Sequence, residues 1–403
     1  MKNFFNYALL FAAITTLSPV LVSCDDDGEP DDDVQEQVLS EGDRLLQKVL
    51  AADVSNTINP TYGYLADSCA ILYTQLMAMT AGEVSQQQVN EACETFLRAR
   101  ANYEKSEAFL MGAAAHFGID PHIDSWPLDL DHLKSYLEGH VENLDASVLG
   151  FHGIEFVLFR DGQPRKAAEL NGYDTYPGFT KFNGATELRY AQTVAFDLRN
   201  SVFQLQCSWN EATDQERFDI LDGLGKTYQT DKGFSYGQNL VCAGDNARST
   251  YSSVKNAVSS VLAGDGGAAN IANEVGQTKI KEPYSGNDEN YIESPYSWNS
   301  LTDFQNNVRS IANVWYGGIE GKRQSGISFN AYFEKYNPEI AGRVSAAIQQ
   351  AITEIGKIPY PFVKYITENG KATDKQGEKA IAACDELRDA LIAANEFIQT
   401  TNR

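Results

Sequence analysis

Neither a Cys-x-x-Cys pair nor an HExxH or HxxEH motif occurs anywhere in the 403 residues. The first absence argues against a zinc ribbon, and the second withholds the two-histidine set that a zinc peptidase places around its metal. Imidazoles are scarce and confined. All five, His116, His122, His132, His140 and His152, lie in one stretch of the first half, so imidazole chemistry is limited to it. Basic residues are few, 32 against 55 acidic ones, and the formal charge of −23 argues against nucleic-acid binding, which needs basic stripes. Such a charge suits a solvated acidic exterior or one that attracts cations. No sustained period-two alternation appears, which argues against sheet. The apolar run from Phe4 to Val22 is too short, and too interrupted at Ser18-Pro19, to span a membrane.

That run follows Lys2 and ends in Leu21-Val22-Ser23-Cys24, which resembles the lipobox of bacterial lipoproteins. The resemblance implies that residues 1–23 are a removed signal peptide and that Cys24 is lipidated. Several acyl chains would hold the protein stably on a membrane, where a single chain is marginal. Residues 24–33 read as an acidic tether. The run Asp25-Asp26-Asp27-Gly28-Glu29-Pro30-Asp31-Asp32-Asp33 repels itself, stays extended and reaches roughly 30 Å at most. It also resembles the acidic signal that sends some Gram-negative lipoproteins to the outer face of the outer membrane. The expected location is therefore the cell envelope, on the outer membrane and surface-exposed. Cleavage leaves 31 basic residues and a charge of −24, with Cys69, Cys93, Cys207, Cys242 and Cys384 downstream of the anchor. An odd number of exported cysteines leaves one thiol unpaired if disulfides form; simple buried thiols are the alternative.

Beyond the tether, apolar residues recur at helical spacing. Val38, Leu45, Leu46, Val49 and Leu50 predict a helix over 34–55, broken at Asn59-Pro60. A second is expected from Thr61 to Met79, and a long third from Gln86 to about Phe117, capped by Ser85. Asp129 is placed to cap a helix to His140, and Asp145 to cap the segment holding His152. Residues 162–182, with two prolines and several glycines, read as an irregular loop. Helices are expected over 185–207, 214–224, 245–262, 301–316, 338–355 and 374–400, with 277–300 loop-like. The fold class is all-α: two helical bundles side by side, over 34–234 and 235–403. Arg309-Ser310-Ile311-Ala312 weakly echoes Lys105-Ser106-Glu107-Ala108, as a duplicated bundle would.

Chemistry concentrates in Gly150-Phe151-His152-Gly153-Ile154-Glu155. On a helix, positions three apart share a face, so His152 and Glu155 project together from an otherwise apolar segment. A carboxylate among Phe, Val and Ile needs a partner, and imidazole with carboxylate suits iron or another divalent metal, or a proton relay. A structural hydrogen-bonded pair is the plain alternative. Glu107 offers a further carboxylate. Arg100 lies two helical turns before it on nearly the same face, with Tyr103 between them and Ser106 bordering. Arg100 could orient a carboxylate through a bidentate pair or simply hold two helices together. His116 is the one other imidazole that could join a site.

Gly150-x-His152-x-x-Glu155 resembles the signature of the imelysin family, a group that includes insulin-cleaving membrane proteases and iron-regulated lipoproteins. Two blocks resemble the same family in the same order: Arg100 through Tyr103, Ser106, Glu107 and Phe109 to Gly112, and Ile119-Asp120 followed by Ser125-Trp126-Pro127. A looser likeness runs from Ser294-Pro295-Tyr296-Ser297-Trp298 to Tyr316-Gly317-Gly318. The resemblance implies a two-bundle protein with its site where the bundles meet. It points to iron uptake or its regulation, with a small-molecule or metal ligand and an iron-transport partner. His152, Glu155 and Glu107 are the expected metal ligands, supported by Arg100, Ser106, Gly150 and Trp126. A metal-dependent peptidase with Glu155 or Glu107 as base is the competing reading, and a surface module for peptide or glycan a third. Gly233-Phe234-Ser235-Tyr236-Gly237 matches a hydrolase elbow by spelling alone, because no histidine follows it and no strand precedes it.

Overall fold

A computed structural model describes residues 39–288, 290–368 and 374–401. The signal segment, the acidic tether and the expected lipidation site Cys24 lie outside the described residues. Leu39 to Arg403 form one compact unit, and its architecture is all-α. In chain order the helices are α1 Glu41–Asp53, α2 Asn59–Met77, α3 Gln86–Glu104, α4 Ala113–Phe117, α5 Asp120–Ile123, α6 Leu130–Leu137 and α7 Gly150–Leu158. There follow α8 Ala167–Leu170, α9 Gly184–Trp209, α10 Gln215–Gly223, α11 Tyr236–Val241, α12 Val254–Ala263 and α13 Ala268–Glu274. The chain ends with α14 Lys281–Ser285, α15 Ser300–Trp315, α16 Phe329–Tyr336, α17 Pro338–Gly356, α18 Phe362–Thr367 and α19 Gln376–Thr400. Among the described residues, no helix is long and apolar enough to cross a membrane.

Helix α2 packs between α3 and α9, and α9 also carries α7. In the second half α19 packs on α17, α13 and α12, and α15 lies on α17. The halves share their interior. Helix α1 packs against α11, α12 and α16, and α15 reaches back to α3. One buried cluster therefore runs from Leu46 and Leu50 through Phe96 and Phe151 to Trp315 and Leu391.

Local chemistry explains most helix starts. Ser85 accepts from the Gln88 N–H while Gln88 returns a bond to Ser85 N–H, a capping box that opens α3. Asp129 caps α6, and Asn183 accepts from Ala185 N–H to start α9. Ser235, the centre of the elbow-like spelling, caps α11 through the Gln238 N–H. Asp145 caps a 3-10 turn, Ala146–Val148, rather than α7 itself.

Several expectations are corrected. Asn59-Pro60 does not break the chain's helical course: a π-turn, Val54–Ile58, joins α1 to α2, and Pro60 sits in the first turn of α2. The long helix predicted to Phe117 stops at Glu104. Ser106 N–H and Oγ both fold back onto the Tyr103 carbonyl, and Leu110 N–H leaves the helix for the Gly266 carbonyl. Residues 277–300 are only partly loop. A second π-turn, Val275–Ile280, joins α13 to α14 and carries Lys279. The stretch 162–182, expected as irregular loop, lies within residues 159–183, which form two short antiparallel pairs, β1 Phe159–Arg160 with β2 Gln163–Pro164, and β3 Tyr173–Asp174 with β4 Phe182–Asn183. The first turns on Asp161-Gly162, both at positive φ (48° and 73°), the pair that a two-residue hairpin demands.

Candidate metal centre

Helix α7 begins at Gly150, whose φ of +75° is strained for any residue with a side chain. A Cβ there would overlap the Ile123 carbonyl oxygen and stand 3.1 Å from the Asp124 nitrogen. Glycine thus lets α7 start directly against the segment that carries Asp124. Gly150→Ala is expected to lose about 3 kcal/mol, from backbone strain plus overpacking. The readout is a lowered urea midpoint at an unchanged m-value.

His152 and Glu155 do share a face of α7, and both are buried. His152 Nδ1 faces Glu155 Oε2 at 3.3 Å. The other carboxylate oxygen, Oε1, accepts from the backbone N–H groups of Tyr296 (3.1 Å) and Ser297 (2.8 Å) and from the Ser297 hydroxyl (2.6 Å). Glu155 therefore ties α7 to residues 296–297 and orients the imidazole through Nδ1, leaving Nε2 as its open end. Nε2 lies 3.0 Å from Asp124 Oδ1, its ion-pair partner. The Trp126 ring covers the imidazole with centroids 4.4 Å apart. Burial alone would push the imidazole pKa down, but the Asp124 carboxylate outweighs it and raises the value to about 9.

Around this pair lies a buried ionic cluster. The Arg100 guanidinium, fully buried, contacts Asp124 and Glu293, stands 2.6 Å from Glu104 Oε1 and 3.6 Å from Asp303 Oδ2. Lys279 Nζ lies 3.2 Å from Glu293 Oε1 and 3.4 Å from Glu107 Oε2. Carboxylates outnumber the fixed cations. Burial pushes Glu104 and Glu107 well above the usual carboxylate range and lifts Asp303 to about 7. Asp124 also suffers burial, but Arg100 and His152 hold it well below that range.

Two sets of donors converge. One oxygen each from Asp124 and Glu293 and one nitrogen of His152 lie within 4.8 Å of one another; so do single oxygens of Glu104, Glu107 and Asp124. Glu293 Oε2 is buried without a hydrogen-bond partner, while His152 Nε2 faces Asp124 Oδ1 at 3.0 Å. One imidazole nitrogen with carboxylate oxygens is a donor set that iron and related divalent ions accept, so the residues present fit such an ion. The unpartnered Glu293 Oε2, beside a donor set of one imidazole and two carboxylates, is the observation that separates this cluster from an ordinary ion-pair network.

The residues singled out by sequence fall into place unequally. His152 and Glu107 stand in the donor sets, while Glu155 is anchored elsewhere and serves as the orienting group. Arg100 and Trp126 line the cluster. Ser106 is buried with its hydroxyl on the Tyr103 carbonyl, 2.6 Å away, where it shapes the end of α3. Asp124, Glu293, Lys279, Glu104 and Asp303 escaped attention. Asp124 and Glu293 sit beside the quoted Ser125-Trp126 and Ser294-Pro295 blocks, and Glu104 is four residues from Arg100, so adjacency was the available signal. The other imidazoles are elsewhere: His122 meets Asp197 at 2.9 Å, His132 meets Asp145 at 3.1 Å, His140 lies 3.8 Å from Glu138, and His116 contacts the Tyr236 hydroxyl. Folding therefore assembles no two-histidine zinc set. An open pocket of about 450 Å³ lies beside His116 and Tyr228, and no residue of the cluster lines it.

An all-helical chain whose interior holds an imidazole-bearing carboxylate cluster is the class of protein these features define. The family model described as Imelysin matches residues 58–393, and the chain belongs to the imelysin family. Iron-regulated protein A of Synechococcus elongatus is 24% identical over 347 residues, covering 84% of this chain and 83% of that protein. Among solved structures, a Parabacteroides distasonis protein provisionally described as an iron-regulated protein A precursor is similar at 26% identity. It matches with a TM-score of 0.71 over 89% of this chain and 97% of its own. An imelysin-like protein from Psychrobacter arcticum shares the fold, with 13% identity and a TM-score of 0.52 over 90% of this chain and 96% of its own.

Proposed function

We propose that this imelysin-family chain holds a metal ion, iron foremost, at Asp124, His152 and Glu293, and serves iron uptake or its regulation from a lipid anchor in the cell envelope. The convergence of Asp124, His152 and Glu293 in one buried donor set, with Glu293 Oε2 unpartnered and the imidazole aimed by Glu155 beneath Trp126, carries the reading. The relatives named for iron regulation point the same way. Glu155 fixes the tautomer and ring orientation; Arg100 balances Asp124 and Glu293 when they stand close together; Glu107 and Glu104 supply further negative field. A bound ion would supply the positive charge that these buried carboxylates lack. The lipidated Cys24, the acidic tether and an iron-transport partner belong to the same reading.

Elemental analysis tests it on protein purified without chelator and exposed to ferrous iron under anaerobic conditions. Wild-type protein is expected to retain iron after desalting. His152→Ala, which removes an imidazole ligand, is expected to lose it, while Glu155→Gln retains it at an affinity reduced about 10–100-fold, the usual cost of losing a ligand's orienting partner. Equal iron in wild type and His152→Ala would refute the assignment.

A further inference from the structure

The cation already inside the cluster deserves its own account. Lys279 is carried by the π-turn Val275–Ile280, and its side chain is only 6% exposed. Its Nζ lies 3.2 Å from Glu293 Oε1, 3.4 Å from Glu107 Oε2, and 4.0 Å from both Glu104 Oε2 and Glu274 Oε1. Glu293, Glu107 and Glu104 all belong to the donor sets of the candidate centre. One ammonium is thus paired to ligands of both sets at once.

We propose that Lys279 is a resident counter-cation that competes with the metal for this carboxylate set and thereby fixes its affinity and its preference for multivalent ions. The inference rests on the metal-binding reading above. A carboxylate oxygen pointed at an ammonium has that lone pair engaged, and the ammonium's charge repels an incoming cation at close range in a medium that screens poorly. A monovalent ion brings no more charge than the ammonium already supplies, so it gains nothing by replacing it. A divalent ion brings twice the charge to the same oxygens. The lysine has somewhere to go: Glu274, on α13, has a 43% exposed side chain and lies within reach of the same Nζ. The four-carbon stem can swing the ammonium toward that carboxylate and toward solvent without moving the backbone. An arginine fork would be harder to displace, and Arg100, with its several partners, is the fixed cation of the pair.

The test is calorimetric titration of metal-free protein with manganese(II), in excess potassium chloride. Wild type, Lys279→Met, the charge-conserving double variant Lys279→Met with Glu107→Gln, and His152→Ala are compared. The double variant removes one positive and one negative charge together, so it keeps the cluster's balance if the single variant fails to fold; thermal unfolding confirms a cooperative fold in each. Removing the ammonium is expected to tighten manganese(II) binding at least about tenfold, since it abolishes a like-charge repulsion. Tight binding in the lysine variants with none in wild type supports the inference equally, as a complete block. His152-dependent binding in wild type that is unchanged or weaker in the lysine variants overturns the inference and leaves the metal site standing. Absence of binding in every variant overturns both.

Discussion

Arg100→Met is expected to lose about 3–5 kcal/mol of stability at neutral pH, the range found when one partner of a buried ion pair is removed. Domains commonly have about 5–15 kcal/mol in total, so a large part of the fold's reserve is at stake. Arg100 is fully buried and faces Glu104 of its own helix and Asp124, Glu293 and Asp303 from elsewhere in the chain. Methionine fills much of the space but leaves carboxylates of like charge close together, with Lys279 and the His152 imidazole as the remaining cations. Arg100→Lys recovers only part of the loss, because a point ammonium cannot spread over the carboxylates that the planar fork reaches. Urea unfolding at pH 7.5 measures both. The deficit shrinks in acid, where carboxylates already raised by burial, Glu104 and Asp303 among them, take up protons and no longer need the guanidinium. A stability within about 1 kcal/mol of wild type at neutral pH would mean the cluster relaxes or hydrates, and that Arg100 is not its organiser.

The cluster also shows what spacing along a chain can and cannot reveal. That His152 and Glu155 share a helical face follows from their three-residue separation, and that both need polar partners follows from the apolar residues between them. What Glu155 binds does not follow. Its partners, the Tyr296 and Ser297 amides, lie some 140 residues away, and no periodicity encodes a contact made by packing α7 against a distant loop. Asp124 and Glu293 were hidden in the same way, each isolated in its own stretch and meaningful only when Arg100 gathers them. The end of α3 illustrates a local failure. Apolar residues continue at helical spacing from Phe96 to Phe109, but Ser106 turns the chain back on Tyr103, so periodicity outlasts the helix. Asp161-Gly162 was the reverse, a readable hairpin signal inside a stretch whose prolines and glycines pointed to irregular loop. Helix starts at Ser85 and Asp129, by contrast, depend on side chains within three residues of the backbone they cap, and were readable.

A buried acid far from any ion pair makes the second large effect. Asp53 closes α1 where it enters the π-turn, is 0% exposed, and has no well-formed hydrogen bond on either oxygen. Thr57, one turn on, gives its hydroxyl to the Asn313 carbonyl at 3.3 Å and is the one side chain whose hydrogen bonding opposes the effect of burial on Asp53. Burial lifts the Asp53 carboxyl from its ordinary 3.8 to about 7. The sign follows from proton counts. Between these two values the folded chain holds a proton that the unfolded chain has released, so stability falls as pH rises. Below pH 3.8 both states are protonated and there is no penalty; above pH 7 both are ionised and the full penalty, about 4 kcal/mol, applies. Asp53→Asn removes the titration while keeping the shape. Its stability relative to wild type is expected to rise by about 4 kcal/mol between pH 4 and pH 8, whatever the offset from burying an amide. Urea unfolding of both proteins across that range isolates the term, because the titrating groups of the metal centre are common to the two. Parallel profiles would show that Asp53 ionises freely in the folded state, and that water reaches the junction of α1 and the π-turn.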